Sequence, residues 1–149
     1  MTNNYETATP HLASNIIFRK DAKVAFLLRQ NTSWMDGHYC LIGGKVEKGE
    51  TFTEAAIREA KEEAGVELKP DQLRVALTGF RQANEYDWVD VLFEVIHYDS
   101  EPYNAESDVH ASLEWLDPYN LPENTVPSIR YYMAEILAGR TFCEIKIDE

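Results

Sequence analysis

Apolar positions along this chain fall into two patterns: short runs of strand length, and two stretches where they recur at helical spacing. Leu12–Phe18 and Val24–Leu28 are strand-length runs separated by the polar segment Arg19-Lys20-Asp21-Ala22-Lys23, which predicts a hairpin between them. A loop from Gln30 to His38 carries the turn-formers Asn31, Ser33, Asp36 and Gly37. Tyr39-Cys40-Leu41-Ile42 then reads as a short strand ending in Gly43-Gly44. A helix is predicted over 51–64, with Thr51 or Thr53 as N-cap, Ala55, Ala56, Ile57, Ala60 and Ala64 as its apolar stripe, and Gly65 as its stop. Val75–Phe80 and Val89–Ile96 are further strands, and Leu113–Leu116 is a short one. Pro127–Ala138 predicts a second helix, with Ile129, Tyr132, Met133, Ile136 and Leu137 at helical spacing and Gly139 beyond.

Strands interleaved with two separated helices predict an α/β layered fold. The 149 residues are one domain's worth of chain, taken as 1–149, and 44% hydrophobic content is ordinary for a globular domain. No apolar run approaches the ~20 residues of a membrane helix. The opening MTNNYETATPHL has neither the basic start nor the apolar stretch of a secretion signal, so the expected location is the cytosol. Cys40 and Cys143 fit no metal or redox spacing and are expected to be reduced thiols, with Cys40 buried in a strand. A formal net charge of −12 repels a phosphate backbone, which argues against nucleic-acid polymers as partners.

The chemistry concentrates between Gly44 and Val66. Glu59, Glu62 and Glu63 share one helix face by their spacing of three and four residues. Like charges so placed destabilise an isolated helix by roughly 0.2–0.5 kcal/mol per pair. They also sit in its last turns, where the helix dipole favours cations. A hard divalent cation, which prefers oxygen ligands, turns that repulsion into attraction. Arg58 adds a positive charge beside the cluster, with Glu54 or Glu50 as its candidate partner. A charged, solvated helix face is the competing reading, and the flanking glycines with Glu50 and Arg58 weigh against it.

Gly44, Glu50, Arg58, Glu59, Ala60, Glu62, Glu63, Gly65 and Val66 stand at the spacings of the Nudix hydrolase signature, which this segment resembles. Ala60 is smaller than the usual apolar residue, and Ile42 stands where the family often has proline. The resemblance implies an α/β/α sandwich with a mixed sheet. It also implies Mg2+ or Mn2+ as cofactor, with Glu59, Glu62, Glu63 and the Gly43 carbonyl as ligands and one of the carboxylates as base. Glu50 and Arg58 resemble the ion pair that holds loop to helix. Many relatives carry an additional metal-binding or catalytic glutamate on a later loop, a role that here falls to Glu106, with a merely acidic loop as the alternative.

Arg29 and Lys45 are candidate phosphate contacts, and Asn124 a candidate base reader. Solvated or turn-forming roles are the alternatives for all three. Trp34, Tyr39, Phe80 and Trp88 are candidate stacking residues or ordinary core. His11, His38, His97 and His110 show no ligand spacing. The expected substrate is a small nucleotide, first a (deoxy)nucleoside triphosphate cleaved to monophosphate and pyrophosphate, second ADP-ribose or a nucleotide sugar. A non-catalytic nucleotide sensor on the same fold, which would be expected to lack a carboxylate, and a passive acidic interaction protein are the other classes. The sequence leaves oligomeric state open, a homodimer being one option.

Overall fold

The computed structural model describes residues 5–149; residues 1–4, which open the segment read for a secretion signal, lie outside it. Among the described residues, nine strands form two sheets, accompanied by two α-helices. The larger is mixed, in the order β5-β1-β7-β6-β9, built from β1 (His11–Ile17), β5 (Ile42–Lys45), β6 (Leu73–Gln82), β7 (Asp87–Val95) and β9 (Phe142–Lys146). Its β1–β7 and β6–β9 pairs are parallel, and its β1–β5 and β6–β7 pairs antiparallel. The smaller sheet is antiparallel, with β3 (Lys23–Arg29) pairing β2 (Arg19–Lys20), β4 (Tyr39–Cys40) and β8 (His110–Leu116).

Helix α1 (Phe52–Ala64) begins at Thr51, not Thr53, and is closed by a reciprocal cap. Glu54 N–H donates to Thr51 Oγ1 at 3.1 Å, and Thr51 N–H to Glu54 Oε2 at 3.0 Å. Such a cap contributes about 1 kcal/mol. Gly65 ends the helix in the left-handed region, φ 66°, and donates to the carbonyls of Ala60 and Lys61. Ala55, Ala56, Ala60 and Ala64 are buried, while Ile57 is only partly so. These small side chains let the helix lie close on β1 and β5. Ala60 is fully buried, so the small residue at this signature position is a packing choice.

Cross-strand partners share a face, so the register assigns the layers. Ser14 and Gly44, paired across β1 and β5, face α1: Ser14 Oγ donates to Phe52 O at 2.7 Å. Ala13, Lys45, Asp90 and Gly79 are linked by the same ladders on the opposite face. There helix α2 (Pro127–Leu137) lays Tyr132 against Gly79, where a Cβ would come within 2.6 Å of the ring. The sheet therefore lies between two helices, the expected α/β/α sandwich. Ile16, Ile17, Phe18, Phe26, Leu27, Ile42, Leu77, Leu92 and Met133 fill the core, each burial stabilising by about 1.5–3 kcal/mol.

Two expectations need correction. The runs 12–18 and 24–28 share one backbone bond, Ala25 N–H to Phe18 O at 3.1 Å, and otherwise part: β1 lies in the large sheet and β3 in the small one. The hairpin is β2–β3, turning at Asp21 and Ala22, both at positive φ. The strand expected over 39–42 is split, with Tyr39–Cys40 in the small sheet and Ile42–Lys45 in the large one, so the chain crosses between sheets at Leu41. Strand β9 and a short 3-10 turn at Pro70–Gln72 were not foreseen.

Candidate active site

The loop from Lys45 to Thr51 is pinned to α1 by Arg58. Its Nε donates to Glu50 Oε2 at 2.8 Å, and its Nη2 to Glu50 Oε1 at 2.9 Å and to Lys45 O at 3.0 Å. Glu50 also accepts the N–H of Glu47 at 2.8 Å. The bidentate guanidinium, followed by that N–H, holds the Glu50 carboxyl down at about 2. Glu54 is engaged in the helix cap and makes no pair with Arg58. The remaining nitrogen of Arg58, Nη1, reaches Glu59 Oε1 at 2.8 Å and Glu62 Oε2 at 3.3 Å.

Glu59 is buried against β5, 8% exposed, with its carboxyl over Gly44. A Cβ at Gly44 would lie 2.4 Å from Glu59 Oε1, so only glycine leaves this carboxylate where it is. Glu63 accepts the N–H of Gly43 on its Oε2 at 3.1 Å. Burial pushes the Glu63 carboxyl well above its usual range; the charge of Glu59 adds to the rise, the Gly43 N–H opposes it, and Glu106 adds a smaller push. Glu106 is raised in turn, by burial first and then by the charges of Glu59, Glu62 and Asp108. The structure thus brings Glu59, Glu62, Glu63 and Glu106 into one electrostatic neighbourhood beside Gly43. The loop of Glu106 is tied to the end of α1 by Tyr103 N–H to Ala64 O at 3.1 Å and Ala105 N–H to Glu63 O at 3.0 Å.

Among the described residues, no three carboxylate, imidazole or thiol side chains converge closely enough to hold a metal ion as they stand. Their oxygens are turned to protein donors: Glu59 and Glu62 to Arg58, Glu63 to Gly43. In donor type and charge, however, the set fits a hard divalent cation. It is all oxygen, it is acidic beyond what Arg58 neutralises, and two of its carboxyls have proton affinity raised by burial first and then by the negative charge of Glu59.

On the other face of the sheet lies a cavity of about 650 Å³, bordered at one end by Gly43, Gly44 and Lys45. Arg29 and Trp34 form one wall; Tyr86 and Trp88 form another. Arg29 donates from Nε to Trp34 O at 3.0 Å and stacks 4.9 Å from its ring, and Lys45 Nζ lies 5.5 Å over Trp88. Arg29 and Lys45, both expected near phosphate, thus line this space. Cys40 lines it too, its thiol pushed up to about 11 by burial. Asn124 does not line it. Its side-chain amide donates to Gly37 O at 2.9 Å and its backbone carbonyl accepts from Tyr39 N–H, so it braces the loop before β4 and is no base reader in this geometry. Of the expected stacking residues, Trp34 and Trp88 border the cavity, whereas Tyr39 donates to Glu114 at 2.7 Å.

The cavity is also lined by residues to which the sequence reading gave no site role: Arg81, Asp90, Ser128, Tyr132 and Glu149. Arg81 Nε and Nη2 donate to Asp90 at 2.9 and 3.3 Å, and Nη1 to Glu149 Oε1 at 2.9 Å. Tyr132 donates to Asp90 Oδ2 at 2.6 Å. Glu149 caps the start of α2, accepting from Ser128 N–H at 2.9 Å and Ser128 Oγ at 2.7 Å. One signal was available: Arg81 and Asp90 occupy inward positions of the strand alternation, where a charged residue needs a reason. Nothing in the sequence pointed to Glu149.

Residues 9–136 match the family described as the NUDIX domain. An ADP-ribose pyrophosphatase of Methanocaldococcus jannaschii is 44% identical over 57 residues, 38% of this chain and 33% of that protein. An uncharacterized Nudix hydrolase of Bacillus subtilis is 26% identical over 107 residues, 70% of this chain and 64% of that protein. The chain thus matches about a third of the first curated relative and under two thirds of the second. Among solved structures, a MutT NUDIX hydrolase from Burkholderia pseudomallei superposes with a TM-score of 0.75 at 24% identity, covering 85% of this chain and 97% of that one.

Proposed function

Because the chain belongs to the NUDIX domain family across residues 9–136, we propose that it is a divalent-metal-dependent hydrolase of a nucleoside diphosphate derivative, with a nucleoside triphosphate as preferred substrate. The observation that carries this is the gathering of Glu59, Glu62, Glu63 and Glu106 beside Gly43, with Arg58 fixing the cluster to its loop. When bound, Mg2+ or Mn2+ screens the diphosphate oxygens and lowers the pKa of a water it holds. Glu59, Glu62, Glu63 and Glu106 supply oxygen ligands and the acceptor for that water's proton. Arg58 and Glu50 orient the helix and loop that carry them. Lys45 and Arg29, at the mouth of the neighbouring cavity, face the phosphates.

A cavity of about 650 Å³ lies within the usual range for a small-molecule site and admits a nucleoside. The identity to an ADP-ribose pyrophosphatase over 57 residues supports a second reading, ADP-ribose or a nucleotide sugar as substrate. A panel of nucleoside triphosphates, ADP-ribose and nucleotide sugars, assayed with Mg2+ and with excess chelator, tests both. Release of monophosphate and pyrophosphate from triphosphates, abolished by chelator, is the expected result. Preferential cleavage of ADP-ribose selects the second reading, and turnover undiminished by chelator refutes the metal-dependent mechanism.

A further inference from the structure

We propose that Arg81 reads the acceptor edge of a 6-oxopurine base in the cavity, with Asp90 and Glu149 as the positioning residues that hold its guanidinium. This rests on the reading of the substrate as a nucleotide. Charge gives the first argument. Arg81, side chain 11% exposed, is held between Asp90 at 2% and Glu149 at 1%. Tyr132 remains a protonated donor to Asp90, because burial and then the Asp90 charge raise its pKa. Two carboxylates against one guanidinium leave the group itself net negative, so Arg81 is not a free positive charge for a phosphate and suits a neutral acceptor. At the Gly43 end, Arg29 is engaged with Trp34 O and Cys40 Sγ, and Lys45 with the Trp88 ring, so their charges are not cancelled by those partners. Lys45 and Arg81 flank the same Trp88 ring, at 5.5 and 5.0 Å. An uncancelled charge that attracts phosphate thus adjoins a guanidinium whose charge is already met by its own carboxylates and whose free donors suit a neutral ring.

Geometry gives the second argument. A guanidinium has five N–H donors. Asp90 and Glu149 take three, one on each nitrogen, which leaves one donor on Nη1 and one on Nη2. Two donors on neighbouring nitrogens match the adjacent O6 and N7 acceptors of a 6-oxopurine. Adenine presents an amino group where O6 would be, and a pyrimidine has no counterpart of N7. The group is also preorganised: its two carboxylates are buried, and the Trp88 ring lies 5.0 Å from Cζ. Trp34 and Tyr86, both exposed at the cavity wall, offer faces on which a purine stacks.

The test is calorimetric binding of nucleoside monophosphates to the whole chain in chelator, so that no catalysis is involved. GMP and IMP are expected to bind ~10-fold tighter than AMP and 7-deaza-GMP, the discrimination of a bidentate Arg–purine contact. IMP separates an O6/N7 contact from one to the guanine amino group. Arg81→Lys keeps the charge but not the fork, and is expected to level the four affinities. If that variant does not fold, the wild-type comparison of GMP with 7-deaza-GMP decides alone. Equal affinities, a preference for AMP, absence of binding by all four, or a folded Arg81→Lys protein that keeps the ranking each overturns the proposal. Hydrolysis of the triphosphates with no base preference would overturn it while leaving the hydrolase reading intact. Selective binding without any hydrolysis would do the reverse.

Discussion

Gly44→Ala tests whether the position of Glu59 governs turnover. No positive φ constrains Gly44, so alanine suits the backbone, and the whole effect comes from one methyl group. That methyl would sit 2.4 Å from Glu59 Oε1, 2.7 Å from Cδ and 3.2 Å from Oε2. Ordinary contact begins at 3.4 Å, so the carboxyl must retreat by about 1 Å, a displacement that can cost ~10²-fold in rate at a catalytic centre. The retreat also stretches the 2.8 Å bond to Arg58, while the Glu50 pair stays in place. Losing that one charge-assisted bond destabilises by about 1.5–3 kcal/mol, and each kcal/mol lowers Tm by roughly 2–4 °C in a domain of this size. The assay is pyrophosphate release at saturating Mg2+, with thermal melts to confirm folding and a double-mutant cycle against Glu59→Ala. The expected result is a folded protein with greatly reduced kcat, and no further loss from Gly44→Ala once Glu59 is gone. A near wild-type kcat, or fully additive losses, would refute the reasoning.

Three further outcomes follow from the same geometry. The raised Glu63 carboxyl stabilises the metal-free fold fully below its ordinary value of 4.5 and loses that contribution as pH rises through its folded value. In chelator, Tm should therefore fall as pH rises above 4.5, and Glu63→Gln should flatten that slope while lowering kcat ~10²-fold or more. Glu50 has the opposite sign: with its carboxyl at about 2 against an ordinary 4.5, its contribution is present above 4.5 and lost as pH falls toward 2. Glu50→Gln should remove that part of the acid limb in urea titrations; an unchanged limb would show that the pair with Arg58 carries no stability. Glu106→Gln should reduce kcat strongly and Asp108→Asn little, and the reverse order in steady-state kinetics would move the role to Asp108.

Much of this arrangement was legible in the sequence because it is local. Thr51 or Thr53 and Gly65 mark the ends of the helix through short-range signals, and Glu59, Glu62 and Glu63 fall on one face by helical geometry alone. Glu50 and Arg58 are eight positions apart; spacing left Glu54 and Glu50 both open as partners of Arg58, and the family resemblance pointed to Glu50. What escaped the reading depends on long-range register. Runs 12–18 and 24–28 look like a hairpin because a polar turn lies between them, yet β1 finds β7 and β5 while β3 finds β8. Tyr39–Cys40 and Ile42–Lys45 look continuous, and only the pairing partners divide them. The Arg81, Asp90 and Glu149 group is assembled from β6, β7 and the segment after β9, with Arg81 and Glu149 68 positions apart. Asn124 misled because a polar residue before a helix reads equally as a ligand contact or a brace.

The backbone bonds from Tyr103 and Ala105 to the last turn of α1 bear on how the site is completed. A loop that travels to its substrate gives up conformational freedom at each binding event, and that loss is subtracted from affinity. Here Tyr103 also packs its ring against Gly65, where no side chain intrudes. The segment leading to Glu106 is therefore ordered with the fold itself, and its amide protons at Tyr103 and Ala105 should exchange with solvent on the timescale of α1 and not of a free loop. On the role proposed for Glu106, what remains is side-chain motion, on a scale of picoseconds to nanoseconds, so its arrival is not expected to limit turnover.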